Sequence, residues 1–305
     1  MKPVRITPKF LRPFLSKRPA DSHKGDFGRI IIAAGSRGMA GAAILSAKAA
    51  LKSGAGLVTV AIVESQQPVV AAAVPEALTL ALAESAGGTV SPQAVGDMLD
   101  WKRTHACDLL LVGPGLGATA GIFDFVSGLL NGLRVPSVVD ADALNAIAGS
   151  GRLREVFPRE VPCILTPHPG EMSRLLSRFI DVEKMSREEA VTRLSFETGK
   201  VAVLKGHGTL VTDAVSLYVN ATGGPALAKG GTGDILSGLI AGFWVQCGKQ
   251  DGFSLKTALE SSCMGVYVHG LCGDLASREL TEKSVLAGEL LDCLPKALRK
   301  IKPGI

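Results

Sequence analysis

The sequence predicts an α/β fold with a mainly parallel central sheet flanked by helices. Short, nearly continuous apolar runs recur along the 305 residues, and such runs are typical of parallel strands buried on both faces. Stretches of helical length, Ala-rich or amphipathic, lie between them and complete a βαβ series. With 47% hydrophobic and 20% charged residues, the composition suits one large domain with a substantial core.

Six strands rich in Val, Ile and Leu are predicted in chain order. They cover residues 29–34, 57–63, 109–112, 137–140, 163–166 and 201–204. Helical stretches lie between them, for example over residues 40–53 and 187–198. Farther along, residues 209–212 and 216–219 flank a short turn around Asp213, which predicts a β-hairpin.

The sequence contains no linker, low-complexity segment or internal repeat. We therefore predict a single domain over residues 26–305. Residues 1–25 are rich in Pro, Lys and Arg, and we expect them to form an extended arm.

Charge and cysteine content exclude several classes of protein. The net charge of +5 is mild for this length, so we expect no nucleic-acid surface. No clean apolar stretch reaches the ~18 to 20 residues of a membrane span, and the first residues do not resemble a signal peptide. The six cysteines form no C-x-x-C pair and are typical of reduced core residues. We expect a cytoplasmic protein that acts on small molecules.

The strongest functional signal is the segment AKGGTGD, which ends at Asp234 and leads directly into an apolar helix. Gly230, Gly231 and Gly233 let the backbone approach a ligand closely. Thr232 is predicted as the N-cap, and the free N–H groups of the first turn would form an anion hole for phosphate. A carboxylate would repel that phosphate, so we predict that Asp234 is the base for an attacking hydroxyl. The alternative is a Gly-rich turn in which Asp234 only stabilises the helix N-terminus.

This segment resembles the anion-hole signature of the ribokinase-like superfamily. Further blocks narrow the resemblance: HKGDFG at 23–28, AGSRGMAGAAILSAKAALKSGAG at 34–56, VGPGLG at 112–117, DADALN at 140–145, LTPHPGE at 165–171 and LKGHGT at 204–209. In this order they resemble the ADP-dependent NAD(P)H-hydrate dehydratase family, over about residues 20–295. The resemblance implies a ribokinase-like three-layer fold.

The resemblance also implies a repair reaction on a damaged cofactor. NADH or NADPH hydrated at the nicotinamide ring (the S form) is returned to the normal cofactor, driven by cleavage of ADP to AMP and phosphate, or by ATP. The ring hydroxyl is phosphorylated, phosphate leaves, and the ring double bond reforms. Phosphoryl transfer implies Mg²⁺, for which Asp140, Asp142 and Glu171 are ligand candidates on chemistry alone.

The site residues of the family carry over to matching positions. Asp234 matches the base that contacts the hydrate, and Gly233 matches a glycine beside AMP. The nucleotide-binding stretch corresponds to Lys205, Gly206, His207, Gly208 and Thr209. The remaining positions that contact the hydrate correspond to Ala42, Gly115, Leu116, Gly117 and His168.

Two of these residues can also be interpreted without the resemblance. Lys205 ends a predicted strand and could reach phosphate oxygens, although a surface lysine explains it equally well. His168 lies between Pro167 and Pro169, which fix its loop and favour a positioned side chain. A purely structural histidine is the alternative.

The chain departs from the family pattern before GGTGD. The family commonly has TGNPGMA there, whereas Gly224 replaces the Asn and removes a side chain that could contact the nucleotide. Many relatives also carry an N-terminal epimerase domain. Only about 25 residues precede the first block here, so we expect a separate epimerase. The family often forms homotetramers, and the apolar residues 69–83 are either an interface or part of the core.

Three alternative functions stay open. Gly113, Gly115 and Ala118 fit G-x-G-x-x-[GA] after a strand, with Asp140 ending the next one, which is the pattern of a Rossmann oxidoreductase using NAD. A small-alcohol kinase of the same superfamily, such as a vitamin-precursor kinase, is compatible with GGTGD. The third is a binding protein with a dinucleotide pocket and no activity.

Overall fold

A ten-stranded sheet forms the centre of the molecule. The computed structural model describes residues 2–181 and 184–304. The strands are β1 (Val4–Arg5), β2 (Arg29–Ala33), β3 (Leu57–Val63), β4 (Leu78–Leu82), β5 (Leu109–Val112), β6 (Ser137–Val139), β7 (Cys163–Leu165), β8 (Val201–Leu204), β9 (Leu210–Thr212) and β10 (Leu217–Val219). Their order across the sheet is β1-β10-β9-β8-β7-β6-β5-β2-β3-β4.

The sheet is mainly parallel, as predicted. Strands β2 to β8 run parallel to their neighbours among themselves, and β9 is antiparallel to both β8 and β10. The hairpin β9–β10 confirms that prediction, and the six predicted strands are present with ends that agree within one residue. The two edge strands, β1 and β4, were not predicted: β1 has only two residues, and β4 lies inside the apolar segment 69–83.

Helices cover both faces of the sheet. They are α1 (Pro8–Leu11), α2 (Ala40–Lys52), α3 (Gln67–Ala73), α4 (Ala94–Thr104), α5 (Ile122–Leu133), α6 (Asp142–Ser150), α7 (Pro169–Leu176), α8 (Arg187–Thr198), α9 (Thr232–Asp251), α10 (Leu255–Leu280) and α11 (Leu294–Ile301). On one face α2 and α10 flank α9, which packs against β2, β5 and β6. The helices α4 to α8 contact one another in sequence on the other face, because right-handed crossovers place them there.

These three layers confirm the predicted architecture. Within residues 2–181 and 184–304, no helix combines the length and the apolar character needed to cross a membrane.

Helices α2 and α9 pack closely because small residues line their contact. Ala43, Ala47 and Ala50 of α2 are fully buried. A Cβ added to Gly238 of α9 would lie 2.4 Å from the carbonyl oxygen of Ser46, so only glycine fits there without movement. This close contact fixes α9, and with it the loop that leads into α9, relative to the sheet.

The first residues are packed onto the domain. Residues 2–25, for which the sequence predicts an extended arm, include β1, which pairs with β10, and α1. Ile6, Leu11 and Leu15 are buried in the core. Lys302 Nζ donates a hydrogen bond to the carbonyl oxygen of Leu15, so the two ends of the described chain meet. The division into an arm and a domain stays a prediction.

The direction in which strands are added reverses between β2 and β5. From β2 the chain adds β3 and β4 on one side, and from β5 it adds β6, β7 and β8 on the other. In open α/β sheets, ligands bind at the carboxyl ends of the strands where this reversal occurs. The expected ligand site is therefore among the loops that follow β2, β5, β6, β7 and β8.

Candidate active site

The loops at the carboxyl edge of the sheet are joined by backbone hydrogen bonds. The Gly35 N–H after β2 donates to the Pro114 carbonyl after β5 over 2.8 Å, and the Lys205 N–H after β8 donates to the Pro167 carbonyl after β7 over 2.9 Å. Adjacent loops therefore support one another and hold their side chains in place. The N-terminal end of α9 meets this edge.

Helix α9 starts in the glycine turn of GGTGD. Its N-cap is Gly231, with φ 88°, and not Thr232, so that detail of the prediction was wrong by one residue. The physical reason is that glycine tolerates this positive φ and turns the chain into the helix, while the Thr232 hydroxyl is used elsewhere. Thr232 Oγ1 donates to the carbonyl oxygens of Leu227 and Lys229, each over 2.9 Å, and closes the preceding turn. The Thr232 N–H donates to the Lys229 carbonyl over 3.5 Å, and Thr232 and Gly233 of the first turn line the cavity described below.

Asp234 is the third residue of α9. Its carbonyl oxygen accepts hydrogen bonds from Ser46 Oγ (3.2 Å) and Ser237 Oγ (3.1 Å), which anchor the first turn to α2. Burial, with the negative charge of Asp140, raises the pKa of Asp234 to about 6, while Lys205 opposes the shift. A carboxylate with this pKa is ionised at neutral pH and is a stronger base than an exposed aspartate, which suits proton abstraction.

Lys205 is the centre of a buried charge cluster. Its Nζ lies 2.7 Å from Asp140 Oδ1 and 3.7 Å from Glu171 Oε2. Burial alone would lower the pKa of Lys205, but the two carboxylates outweigh burial and raise it, so the residue is a cation. A Cβ on Gly233 would lie 3.8 Å from Lys205 Nζ, which places the ammonium beside the first turn of α9. The Lys205 ammonium and the positive end of the α9 helix dipole therefore lie close together.

A strained turn holds the two aspartates that follow β6. Ala141 has φ 50° and ψ −119°, a conformation that non-glycine residues adopt at a cost of about 1–3 kcal/mol. On one side of it, Asp140 pairs with Lys205; on the other, Asp142 Oδ2 accepts a 2.8 Å hydrogen bond from the Gly117 N–H. Gly113 allows the loop after β5 to press on this turn, since a Cβ there would lie 1.8 Å from the Asp140 carbonyl oxygen.

A cavity of about 350 Å³ opens between the loop after β8 and helix α10. We call it the β8–α10 cavity. All six residues predicted to bind nucleotide line it: Lys205, Gly206, His207, Gly208, Thr209 and Gly233. Of the predicted anion-hole residues, Thr232 lines it too, whereas Gly230 and Gly231 lie just before the helix. The structure thus brings the predicted nucleotide residues together at the start of α9.

Of the residues predicted to contact the hydrate, Ala42 and the Gly115–Gly117 loop lie at the strand reversal, whereas His168 follows β7 and Asp234 lies in α9. A Cβ on Gly115 would lie 3.0 Å from that of Ala42, so the loop after β5 touches the start of α2. Leu116 is buried, with 1% exposure, so only its backbone can face a ligand. Gly117 borders a second cavity of about 490 Å³ together with Asp142, whose charge also acts on Asp234.

His168 caps helix α7. Its Nδ1 accepts hydrogen bonds from the N–H groups of Gly170 (3.0 Å) and Glu171 (3.3 Å), while Glu171 Oε2 accepts from the His168 N–H over 2.8 Å. Burial and the charge of Lys205 lower the pKa of His168, so the ring is neutral and Nε2 carries the proton. The structure therefore supports the structural interpretation of this residue, and its Nε2 atom lies 3.3 Å from Glu171 Oε1.

The loop after β5 does not form a Rossmann site. In that pattern the glycine turn leads directly into a helix whose N-terminus binds the pyrophosphate. Here α5 begins only at Ile122, and the Gly117 N–H is already bonded to Asp142. The oxidoreductase interpretation therefore lacks its helix N-terminus.

The site carries carboxylates but no dedicated metal cage. Over residues 2–181 and 184–304, no group of three or more His, Cys, Asp or Glu side chains could hold a metal ion. Of the predicted ligand candidates, Asp140 and Glu171 pair with Lys205, and Asp142 bonds to Gly117. Such a site fits Mg²⁺ that binds mainly through phosphate oxygens and water, since Mg²⁺ commonly needs only one or two carboxylates.

Two features of the site were not predicted from the sequence. The pairing of Lys205 with Asp140 joins residues 65 positions apart, which no local pattern reveals. His269 of α10 lines the β8–α10 cavity and was not identified either. The sequence did contain a signal for this helix, because Gly265, Gly270 and Gly273 lie near His269. Small residues at such spacing indicate that a helix packs closely against its neighbours.

Comparison with known proteins gives the family. The sequence model described as NAD(P)H-hydrate dehydratase matches residues 30–296. The chain belongs to the NAD(P)H-hydrate dehydratase family.

Relatives of this NAD(P)H-hydrate dehydratase family differ in length. The chain is 39% identical over 301 residues to the bifunctional NAD(P)H-hydrate repair enzyme of Moorella thermoacetica, covering 98% of this chain and 54% of that protein. The chain spans about half the length of this and several other curated relatives. It is 32% identical to the ADP-dependent (S)-NAD(P)H-hydrate dehydratase of Bacillus subtilis, covering 97% of this chain and 98% of that protein.

A solved structure agrees with the fold. The crystal structure of the ADP/ATP-dependent NAD(P)H-hydrate dehydratase from B. subtilis, co-crystallised with ATP and Mg²⁺, superposes with a TM-score of 0.81 at 31% identity, covering 99% of this chain and 100% of that one. The ribokinase-like three-layer fold is thus shared along the chain.

Proposed function

We propose that this protein repairs hydrated NADH and NADPH by nucleotide-driven dehydration. The observation that carries the proposal is the position of Asp234, with a pKa of about 6, in the first turn of α9 beside Lys205 and the β8–α10 cavity. A base at an anion hole fits a reaction in which a hydroxyl attacks a phosphoryl group. Membership of the family then supplies the substrate class.

The phosphoryl donor is a nucleoside phosphate bound in the β8–α10 cavity. Lys205, the Gly206–Thr209 loop and the first turn of α9 would hold its phosphates, with Gly233 letting the backbone approach. We favour ADP because the full-length B. subtilis relative is named ADP-dependent, and ATP is the second choice because the solved relative was co-crystallised with ATP and Mg²⁺. Bound Mg²⁺ would supply charge neutralisation on the phosphates.

In the first step Asp234 takes the proton of the ring hydroxyl. The hydroxyl oxygen forms a bond to the terminal phosphorus of ADP, and the bond from that phosphorus to the bridging oxygen breaks, which releases AMP. Positive charge from Lys205 and the first turn of α9 stabilises the phosphoryl group during transfer. Ala42, Gly115, Leu116, Gly117 and His168 are proposed to position the hydrate.

In the second step the phosphorylated ring loses phosphate. The carbon–oxygen bond breaks with its electron pair on phosphate, a proton leaves the neighbouring ring carbon, and the ring double bond reforms. Phosphorylation turns hydroxide, a poor leaving group, into phosphate, a good one. The sum is hydrate plus ADP giving NADH, AMP, phosphate and a proton.

The same proposal includes the protein's partners. We propose a homo-oligomer, a tetramer as in the family, with the exposed Val69 of α3 and Leu78 of the edge strand β4 at an interface. An epimerase would convert the other hydrate epimer into the S form used here.

The test is a repair assay. Purified protein, Mg²⁺ and hydrated NADH are mixed with either ADP or ATP, and the recovery of reduced nicotinamide absorbance is followed. We expect recovery that depends on a nucleotide and is faster with ADP. No recovery with either nucleotide on a folded sample would reject the proposal in favour of a small-alcohol kinase.

A further inference from the structure

An arginine of α8 holds the backbone of the loop that follows β8. Arg187 Nη1 donates a hydrogen bond to the carbonyl oxygen of His207, and Nη2 donates to the carbonyl oxygen of Lys205 over 3.4 Å. A Cβ added to Gly206, between these two residues, would lie 3.2 Å from Nη2, so the guanidinium rests directly against the loop. None of the proposed chemical steps uses Arg187.

The helix end that carries this arginine is itself well fixed. Arg187 is the first residue of α8, and a capping box precedes and closes the first turn. Ser186 Oγ accepts a 3.2 Å hydrogen bond from the Glu189 N–H, and the Glu189 carboxylate accepts one from the Ser186 N–H over 2.8 Å. This arrangement satisfies N–H groups that would otherwise be unpaired at the helix start. Because α8 also packs against β8, the guanidinium has an ordered base beside the loop.

A held carbonyl group also fixes the N–H group of the same peptide unit. In a planar trans peptide the C=O and the N–H point in opposite directions. The carbonyl groups of Lys205 and His207 point at Arg187, so the N–H groups of Gly206 and Gly208 point away from it. Neither of these N–H groups has an acceptor within the parts of the chain that the structure describes. They are two donors that a ligand can use.

These two donors lie on the cavity side of the loop. Gly206 and Gly208 line the β8–α10 cavity, whereas Arg187 is not one of its lining residues and contacts the loop from the opposite side. Their φ angles are 128° and 63°, in the left-handed region that glycine adopts without strain. Backbone N–H groups presented in this way form a concave surface that binds anions. Gly233 of α9 lines the same cavity, so the loop and the helix start can bind one phosphate group together.

We propose that Arg187 is a positioning residue for the nucleotide. By holding two carbonyl oxygens of the loop, it directs the N–H groups of Gly206 and Gly208 at the phosphates bound in the β8–α10 cavity. Without the guanidinium these peptide units could rotate and turn their carbonyl oxygens, which repel a phosphate, toward the ligand. The proposal rests on the proposed nucleotide site and deepens it, since it assigns two donors of the loop and the residue that orients them.

Nuclear magnetic resonance on the full native chain, labelled with ¹⁵N in glycine, tests the two donors directly. Addition of ADP with Mg²⁺ should move the amide proton resonances of Gly206 and Gly208 downfield, because an ionised phosphate is a strong acceptor. The resonance of Gly96, in α4 on the other face of the sheet, is the internal control and should stay in place. If ADP binds and neither loop resonance moves, the proposed donors are wrong.

Arg187→Met removes the guanidinium and keeps an unbranched side chain. It should raise the Kd of ADP in calorimetry about tenfold or more, the value of one hydrogen bond to a charged group. The kcat at saturating ADP should stay near the native value, because Asp234 is held in α9 by other contacts. A merely structural role would instead lower kcat and the number of binding sites and leave Kd unchanged. Arg187→Lys, which still donates to a carbonyl oxygen, should recover part of the affinity.

Arg193→Met is the matched control, because Arg193 lies on the same helix and pairs with Glu197 instead of the loop. It should bind ADP as the native protein does. A native Kd in Arg187→Met would overturn the role of Arg187 while leaving the nucleotide site intact, and so would an equal loss of affinity in Arg193→Met. Absence of ADP binding in the native protein would overturn the proposed function as well.

Discussion

At the scale of single residues, the site depends on charges that are buried together. Lys205 has 17% of its side chain exposed, against 1% for Asp140 and 4% for Glu171. The two carboxylates compensate the buried charge of Lys205 before any ligand binds. Burying any one of these three charges without a partner would cost considerable free energy. Asp140 and Lys205 both act on the pKa of Asp234, so a phosphate that pairs with Lys205 should change that pKa as well. The electrostatics of Asp234 and of nucleotide binding are therefore coupled.

Asp140→Asn should change the pH dependence of turnover. In the native protein kcat/KM for the hydrate should rise as pH increases through about 6, because Asp234 must be deprotonated to accept a proton. Asp140 raises the pKa of Asp234, so its loss should move this acid limb to lower pH.

The control for this prediction is Asp292→Asn. Asp292 is 75% exposed and pairs with Lys52, and the variant should keep the native pH profile. An acid limb that stays in place in Asp140→Asn would contradict the electrostatic account of Asp234.

At the scale of elements, helix ends and helix contacts position the chemistry. Helix α7 begins at the His168 cap, and α9 begins at the Gly231 turn and is held against α2. The sequence predicted the start of α9 because GGTGD, followed directly by an apolar run, is a local signal. The N-cap was misplaced by one residue because the φ of Gly231 decides it, and φ is not visible in the sequence.

His168 variants can separate a capping role from a substrate role. His168→Ala removes the acceptor for two N–H groups and should lower the free energy of unfolding by about 1 kcal/mol. His168→Asn keeps a good N-cap and should retain native stability, measured by denaturant unfolding. If Nε2–H also contacts the hydrate, KM for the hydrate should rise in both variants. A native KM in both would restrict His168 to its structural role.

Gly238→Ala should disturb the contact that fixes α9. The new Cβ would meet the Ser46 carbonyl oxygen at 2.4 Å, so α2 and α9 must separate, at a cost of about 1–3 kcal/mol in the free energy of unfolding. Because Ser46 also bonds to the Asp234 carbonyl, kcat should fall as well.

Gly96→Ala is the matched control for this variant. Gly96 lies in α4, and a Cβ there meets nothing within 4 Å, so stability should be unchanged or rise by up to about 1 kcal/mol. Equal stability of the two variants would contradict the packing argument.

At the scale of the whole molecule, more of the fold than of the candidate site could be predicted from the sequence. Six strands, the hairpin and the three layers follow from apolar runs and βαβ order, which are encoded locally. The joining of Lys205 to Asp140 depends on β8 and β6 both ending at one edge. Contacts between residues far apart in sequence can be predicted only when the strand order is known. Before the structure, only the family resemblance indicated which residues lie together in the site. The roles of the individual site residues remain predictions.

Nucleotide binding should stabilise the whole molecule. A ligand that binds only the folded state at about 100 times its Kd adds about 2.7 kcal/mol, which corresponds to several degrees in Tm. We expect such a rise with ADP in a thermal denaturation experiment, and a smaller one for Lys205→Met at the same ADP concentration. An ADP-independent Tm in the native protein would contradict the assignment of the β8–α10 cavity.

The central claim is that Asp234 couples cleavage of a nucleotide to repair of the ring. The most direct measurement mixes hydrated NADH, ADP and Mg²⁺ with the native protein or with Asp234→Asn, and quantifies NADH and AMP together. We expect one AMP for each NADH with the native protein, and neither product with Asp234→Asn, although that variant should still bind ADP in calorimetry. NADH formed without AMP, or turnover by Asp234→Asn at the native rate, would contradict it.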